Sequence, residues 1–163
     1  VKEWFKNFNE LVMFEHSIFS LPFIFIAMLV SANGFFGWTL LVLGTLAALS
    51  ARNFAMGVNR YGDLDIDRKN PRTRNRPSVD GRISQNSIAV FIVLNAFIFI
   101  GVAYLINNLA FILSFPILGI LVSYTYFKRF SEIAHLVLGI SLGLAPIAGV
   151  VAVENYIPLW SLL

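Results

Sequence analysis

Three oxygen-bearing side chains with a four-residue spacing are the part of the sequence best suited to chemistry. Asn59, Asp63 and Asp67 follow a long apolar run. If the helix of that run continues until Pro71 stops it, the three side chains form one stripe on its surface, and Asp65 points to the opposite side. Mg²⁺ takes one or two carboxylates and completes its octahedron with water and phosphate oxygens. The stripe therefore predicts a magnesium site whose natural partner is a diphosphate.

Charged residues at a helix end also have a simpler explanation. Asp63, Asp67 and Arg68 can exchange ion pairs with Arg60 and its neighbours on a solvated helix end. Further arginines follow at positions 72, 74 and 76. Repeated guanidinium groups suit a polyanion, because each can bind two phosphate oxygens, although arginines beside a membrane also fix topology or contact anionic lipid. The position at the basic mouth of an apolar run favours the metal and polyanion interpretation.

The elements that must position this stripe are membrane-spanning helices. Of the 163 residues, 58% are hydrophobic and 13% are charged, against about 45–50% and about 25% in soluble domains. This composition excludes a soluble enzyme, a disordered tail and a nucleic-acid-binding module. The absence of cysteine from the sequence excludes disulfide scaffolds and thiol nucleophiles. We therefore predict an all-α, multi-pass transmembrane helix bundle surrounded by membrane lipid.

Five apolar runs approach the length of about 20 residues that a helix needs to cross the hydrocarbon core. Their length and lack of alternation indicate helices rather than strands. They cover residues 18–32, 38–58, 88–106, 109–127 and 133–153. The polar stretch 59–85 connects the second and third runs and contains the aspartates.

The distribution of charge predicts the topology. If the runs alternate in direction, all 12 Lys and Arg residues fall on one side, while the turns 31–37 and 107–108 on the other side are uncharged. The positive-inside rule then places the N-terminus and the 59–85 loop in the cytoplasm, in a multi-pass protein of the cell (inner) membrane. Because residues 160–163 read as the opening of a sixth span, we expect a piece of a longer protein.

Several stretches together resemble the UbiA-type membrane prenyltransferases. They are residues 14–23, 51–60, 66–73, 124–130, 135–139 and 145–146. The first is similar to the first helix of the family, and the next two enclose its first aspartate-rich motif, N-x-x-x-D-x-x-x-D. The others are similar to the connection between its fourth and fifth helices. Within the family the likeness is to 4-hydroxybenzoate polyprenyltransferases and to the related enzyme of the futalosine route to menaquinone.

This resemblance implies a single prenyltransferase domain over residues 1–163, with five spans of a nine-helix fold and truncated on its C-terminal side. A polyprenyl diphosphate would lie with its tail in a lipid-accessible central cavity, and two aspartate-rich motifs would hold its diphosphate through Mg²⁺. Asn59, Asp63 and Asp67 would form the first Mg²⁺ site, and both aspartates would be catalytic. The second motif belongs to the sixth-to-seventh helix connection, beyond these residues.

The resemblance also implies roles for four residues outside the stripe. Arg72 and Lys128 would contact the diphosphate. Tyr124, one turn before Lys128, would be a further catalytic residue at the reacting end of the prenyl group. Arg52 would face the aromatic acid acceptor. The implied reaction is the Mg²⁺-dependent transfer of a polyprenyl group to 4-hydroxybenzoate or a naphthoate, in ubiquinone or menaquinone biosynthesis.

Two other classes of protein remain as alternatives. Phosphatidyltransferases that join an alcohol to a CDP-lipid have aspartates four residues apart, but they need an upstream D-G-x-x-A-R element that is missing at the required distance here. A cation transporter or channel subunit would use Asn59, Asp63 and Asp67 as an ion path, whereas transporters place their coupling sites near the bilayer midplane. Mg²⁺-dependent binding of a polyprenyl diphosphate would distinguish a prenyltransferase from a transporter.

Four further residues carry structural predictions. Asn95, within the third run, is expected to donate a hydrogen bond to a neighbouring helix. Glu154, at the end of the fifth run, is expected to be exposed on the uncharged side. Phe54 and Tyr61 are expected to pack or to face lipid rather than to stabilise a cation through their rings.

Overall fold

The computed structural model describes residues 2–13, 17–127 and 134–162, and its regular structure is helical. Those residues form seven α-helices and one 3-10 turn, without strands. The helices are α1 Lys2–Val12, α2 Ser17–Ser31, α3 Trp38–Gly62, α4 Leu64–Lys69, α5 Gln85–Ile106, α6 Asn108–Phe127 and α7 Ala134–Glu154, and the turn is Leu159–Leu162. The predicted all-α fold is confirmed.

The five predicted apolar runs coincide with α2, α3, α5, α6 and α7. Within the described residues, α3, α5 and α6 are long and apolar enough to cross a membrane, and α2 and α7 contain the shorter apolar stretches Leu21–Ser31 and Gly139–Glu154. α3 continues beyond its apolar run, from residue 58 to Gly62, as the stripe of Asn59, Asp63 and Asp67 requires. The predicted polar stretch 59–85 therefore contains the last turn of α3, all of α4 and a series of turns.

The five apolar helices pack as a closed ring. α3 packs against α5, α5 against α6, α6 against α7, and α7 returns to α2, which contacts α3. Additional contacts join α3 to α6 and α7. This arrangement places α3 beside all four of the other apolar helices, so its residues have the best access to the interior of the ring.

Small residues allow the helices of the ring to approach closely. A Cβ atom added to Gly57 would lie 2.8 Å from Cγ1 of Ile92 on α5, and one added to Gly62 would lie 2.8 Å from Cγ2 of Thr125 on α6. A Cβ atom on Gly149 would lie 2.8 Å from a backbone carbonyl oxygen of α2. Larger side chains at these positions would force the helices apart.

Helix α1 covers the basic end of the ring, which we define as the end that carries α1, α4 and the loop 70–84. Its apolar side is buried in a cluster that includes Phe8, Leu11 and Ile88, and the ring of Phe8 lies 5.0 Å from that of Phe91. An amphipathic helix gains most of its stability from such packing rather than from propensity. α1 is therefore part of the structure around the aspartates.

Arg82 connects the polar side of α1 to the loop 70–84. Its Nη1 and Nη2 donate to the Glu10 carboxylate at 2.7 and 2.9 Å, and its Nε donates to Asp80 at 2.7 Å. The hydrogen bond from Arg82 holds the pKa of the Glu10 carboxyl below its ordinary value. The loop and α1 are thus joined by an ion pair at the surface.

Two of the structural predictions were wrong. Asn95 is buried, but its Nδ2 donates to the carbonyl oxygen of Phe91 in the same helix at 2.8 Å. Glu154 is half-buried and accepts a hydrogen bond from Oγ of Ser31 at 2.9 Å. In apolar surroundings a polar group needs a hydrogen-bond partner, and each of these side chains has one that its sequence position does not reveal.

Candidate metal and diphosphate site

Asn59, Asp63 and Asp67 form one ridge where α3 passes into α4. Although α3 ends at Gly62 and α4 begins at Leu64, the helical hydrogen bonds continue across the junction. The N–H of Asp63 donates to the carbonyl oxygen of Asn59 at 3.0 Å, and the N–H of Asp67 donates to that of Asp63 at 2.8 Å. Each residue of this aspartate ridge therefore lies one turn beyond the previous one, as the spacing predicts.

Both carboxylates of the aspartate ridge are buried. Asp63 and Asp67 are each 6% exposed, Asn59 is half-buried, and Asp65 is exposed, as predicted for the opposite side. Aspartates are almost never buried to this extent unless they are paired or coordinate a metal. A solvated helix end, the simpler explanation of these charges, would leave the carboxylates in water and does not describe this site.

Arg76 holds the carboxylate of Asp67. Its Nη1 donates to both carboxylate oxygens, at 2.8 Å to Oδ1 and 2.7 Å to Oδ2. Oγ1 of Thr73 donates to the backbone carbonyl oxygen of Asp67 at 2.9 Å, so the loop after α4 folds back onto the ridge. Sequence reasoning treated Arg76 only as one of three arginines, at positions 72, 74 and 76, that suit a polyanion. It did not pair Arg76 with Asp67, because that contact forms only when the loop folds back.

Arg60 brings a second cation to the aspartate ridge. It is 4% exposed, its Nε donates to the carbonyl oxygen of Leu11 at 3.2 Å, and its charge interacts with those of Asp63, Asp67 and Arg76. The backbone of α1 thus helps to hold the Arg60 side chain close to the aspartate ridge. Two guanidinium groups face two carboxylates, so these four side chains together carry no net charge.

Arg72 and Lys128 are the two residues expected to contact a diphosphate. Arg72 is exposed in the loop beyond the ridge, and its backbone N–H donates to Oδ1 of Asn70 at 3.0 Å. Lys128 lies outside the described residues. The roles of both remain predictions.

A cavity of about 330 Å³ lies inside the ring of helices. Its wall includes Arg52 from α3, Tyr124 from α6 and Ser141 from α7, and its other lining residues are aliphatic or aromatic, or glycine. The structure therefore brings Arg52 and Tyr124, two of the predicted site residues, to the same cavity. Phe54 is buried and Tyr61 is half-exposed, and neither is among the described residues that line it, which agrees with their predicted packing roles.

The face of α3 that lines the cavity leads to the aspartate ridge. Its lining residues, all small except the arginine, are Gly44, Ala47, Ala48, Ala51, Arg52 and Ala55. These positions recur every three or four residues, and the same spacing continues from Ala55 to Asn59 and Asp63. Arg52 precedes Asn59 by two turns, or about 10 Å along the helix axis. An apolar cavity, a cation and a ridge of oxygen ligands thus share one face of one helix.

The oxygen atoms of the ridge fit Mg²⁺ that is shared with a ligand. In the part of the chain that the structure describes, no three His, Cys, Asp or Glu side chains come together in a way that could hold a metal ion. The protein therefore offers two carboxylates and one amide oxygen, which suits a Mg²⁺ that also takes phosphate oxygens. The bond to Arg76 does not exclude this role, because each carboxylate oxygen has two lone pairs and metal-ligating carboxylates are usually hydrogen-bonded.

The sequence matches the family model described as UbiA prenyltransferase family over residues 20–163. The chain belongs to the UbiA prenyltransferase family. Among curated UbiA relatives, the 4-hydroxybenzoate octaprenyltransferase of Janthinobacterium sp. (strain Marseille) is 34% identical over 133 residues, which are 81% of this chain and 46% of that protein. This membership confirms the resemblance found in the sequence.

Solved structures of UbiA homologues have the same fold. The apo structure of the homologue from Aeropyrum pernix K1 is 38% identical, with a TM-score of 0.80 over 86% of this chain and 50% of that one. A homologue from Archaeoglobus fulgidus, bound to DMAPP and Mg²⁺, has a TM-score of 0.80 over 94% of this chain and 56% of that one; at 19% identity this shows the fold alone. The chain therefore spans about half the length of the UbiA proteins it matches.

Proposed function

We propose that the protein transfers a polyprenyl group from a polyprenyl diphosphate to the ring of an aromatic acid. The observation that carries the proposal is the single face of α3 that joins the small-residue cavity wall, Arg52 and the aspartate ridge. The apolar cavity wall fits a prenyl tail, Arg52 fits a carboxylate, and the aspartate ridge fits a diphosphate with its metal. The Mg²⁺ and DMAPP bound to the Archaeoglobus homologue and the 4-hydroxybenzoate acceptor in the names of the curated relatives support the same assignment.

The proposed reaction breaks an allylic C–O bond, and both bonding electrons leave with the diphosphate. Asn59, Asp63 and Asp67 would hold Mg²⁺, which would supply positive charge to stabilise the negative charge of the leaving diphosphate. Arg72 and Lys128 donate hydrogen bonds to phosphate oxygens. The allylic carbon then bonds to an electron-rich carbon of the acceptor ring. A base takes the proton from that carbon, and the electrons of the broken C–H bond restore the aromatic ring.

Two residues of the cavity would position the acceptor and the reacting carbon. Arg52 binds the carboxylate of the acceptor, because a guanidinium matches the two oxygens of a carboxylate, and Tyr124 contacts the reacting end of the prenyl group. The apolar cavity wall excludes water, which would otherwise capture the allylic cation. Arg52 suits 4-hydroxybenzoate and a naphthoate equally, so the acceptor is proposed only as an aromatic acid.

The membrane orientation is a further proposal. The 12 Lys and Arg residues fall on one side of the predicted spans, which favours a cytoplasmic aspartate ridge in the cell (inner) membrane. Arg74→Cys tests this orientation, because Arg74 is exposed. An impermeant thiol reagent is added to whole cells or to inverted vesicles, and labelling of the cysteine is measured in each. Labelling from the outer face would contradict it.

The test of the proposed function uses two aspartates that are two residues apart. Asp63→Asn in the intact protein should lower the transfer of labelled prenyl groups to 4-hydroxybenzoate or a naphthoate by about 100-fold or more, because it removes a charged metal ligand. Asp65→Asn, on the exposed side of the same segment, should leave the rate within about twofold, as expected for a surface substitution. Full activity of Asp63→Asn in Mg²⁺ would reject the metal site.

A further inference from the structure

Arg76 contacts Asp67 through only one of its three guanidinium nitrogens. Nη1 donates to both oxygens of the carboxylate, and among the described residues Nε and Nη2 have no hydrogen-bond partner. A guanidinium carries five N–H donors in a planar fork. The side chain is 29% exposed while that of Asp67 is 8% exposed. Arg76 therefore stands between a buried carboxylate and the surface, with donors remaining for an anion that approaches from the loop.

The charges around the aspartate ridge determine how strongly it attracts a divalent cation. The positive charges of Arg60 and Arg76 balance the negative charges of Asp63 and Asp67, and Arg76 is in direct contact with Asp67. A nearby positive charge disfavours a second cation, and the effect is strong where burial reduces the screening by water. A diphosphate would reverse this balance, because it brings several negative charges and accepts hydrogen bonds from guanidinium groups.

Building on the proposed function, we propose that Arg76 is a further diphosphate-binding residue that makes metal binding at the aspartate ridge depend on the diphosphate. Without the anion, Arg76 neutralises Asp67 and opposes the binding of a divalent cation. With the anion, Nε and Nη2 donate to phosphate oxygens, while Nη1 keeps its contact with Asp67. The metal and the diphosphate then bind together rather than independently.

Equilibrium dialysis of the purified protein with radioactive Mn²⁺ and inorganic pyrophosphate tests this coupling without any turnover. In the wild type, pyrophosphate should raise the affinity for Mn²⁺ by about tenfold or more, within the usual range of coupling between two ligands. Arg76→Gln should bind Mn²⁺ alone about fivefold more tightly, and pyrophosphate should then add about twofold or less. Arg74→Gln, which changes an exposed arginine of the same loop, should behave as the wild type.

Arg76→Lys provides a second measurement that does not depend on the folding of Arg76→Gln. Lys keeps the charge and loses the planar fork, so Mn²⁺ alone should bind as in the wild type, and pyrophosphate should bind about fivefold more weakly. The coupling is refuted if Arg76→Gln binds Mn²⁺ alone with unchanged or lower affinity, or if Arg76→Lys binds pyrophosphate as the wild type does. If the wild type binds no Mn²⁺ even with pyrophosphate, the proposed metal site itself is wrong, and the coupling with it.

Discussion

Two arginines of the loop between α4 and α5 hold carboxylates at the same distance in different surroundings. Arg76 lies 2.7 Å from Asp67, and these side chains are 29% and 8% exposed. Arg82 lies 2.7 Å from Glu10, and these side chains are 37% and 44% exposed. The shortest distance is the same in both pairs, but the carboxylate of Asp67 is far more buried than that of Glu10. The donors also differ, because Arg76 uses Nη1 alone and Arg82 uses both Nη1 and Nη2.

The comparison shows that geometry alone does not identify a functional ion pair. Water and salt compete for the exposed pair, so its main effect is to hold α1 against the loop. Asp67 has lost most of its hydration, while Arg76 keeps 29% of its side chain exposed, and replacing a buried ion pair with apolar residues often stabilises a protein. We therefore propose that the Asp67–Arg76 pair, at the end of the cavity face of α3, serves ligand binding rather than stability.

The largest difference between the pairs should appear when each loses its carboxylate. Asp67→Ala removes a proposed metal ligand and leaves the charge of Arg76 without its partner, which should cost about 3 kcal/mol of stability and lower prenyl transfer about 100-fold or more. Glu10→Ala should change the rate by less than about twofold. Transfer rates in membranes and the midpoints of thermal unfolding measure both effects. Equal losses of activity would show that burial does not separate the pairs.

A second prediction compares Gly62, beside the aspartate ridge, with Gly81, beside the exposed Arg82–Glu10 pair. Gly62→Ala places a Cβ atom 2.8 Å from Cγ2 of Thr125, and this overpacking should cost about 1–3 kcal/mol and lower activity about tenfold by shifting α6. Thr125→Ser removes that methyl group and should restore most of the loss. Gly81, beside Arg82, has φ +87° and no atoms within 4 Å of the added Cβ. Gly81→Ala should cost about 1 kcal/mol through its backbone alone.

The double variant separates packing from backbone strain. If Thr125→Ser does not improve the activity or the unfolding midpoint of Gly62→Ala, the close contact between α3 and α6 is not the cause of the defect. Thr125→Ser combined with Gly81→Ala is the matched control, and the effects of these distant changes should add.

The sequence predicts the helices and the ridge because both depend on local periodicity. The predicted runs agree with α2, α5, α6 and α7 to within a few residues, since a long apolar run has no stable alternative to a helix in a membrane. The ridge follows from the spacing of Asn59, Asp63 and Asp67 along one helix. Asp63 lies between α3 and α4, but the helical hydrogen bonds continue across it and keep the three side chains one turn apart.

The partners of the ridge could not be predicted, because they depend on tertiary structure. Arg76 reaches Asp67 only when the loop turns back, and the turns from residue 70 to residue 83 have no period from which to infer this contact. Arg60 appears in the sequence as a residue of a solvated helix end. It is buried because α1 docks over it and supplies the carbonyl oxygen of Leu11, a contact between residues 49 positions apart.

The smallest expected effect concerns the exposed pair and its pH dependence. The hydrogen bond from Arg82 lowers the pKa of Glu10 in the folded protein, relative to about 4.3 in an unfolded chain. Such a carboxyl contributes stability that is fully present above the unfolded pKa and is lost as the pH falls through the lower, folded pKa. Glu10→Gln should therefore lower the unfolding midpoint by about 1 °C at pH 7, in low salt. This difference should shrink as the pH falls through the lowered, folded pKa of Glu10 and disappear once the folded wild-type carboxyl is protonated.

Glu3→Gln, on the exposed side of the same helix, provides the control for a general effect of charge on α1. Its unfolding midpoint should follow that of the wild type across the pH range. About 1 M salt should remove the effect of Glu10→Gln, since the Debye length falls to about 3 Å, whereas the loss of activity in Asp67→Ala should persist in salt. A difference between Glu10→Gln and the wild type that grows on acidification would show that another group is responsible, because the linkage of Glu10 has the opposite sign.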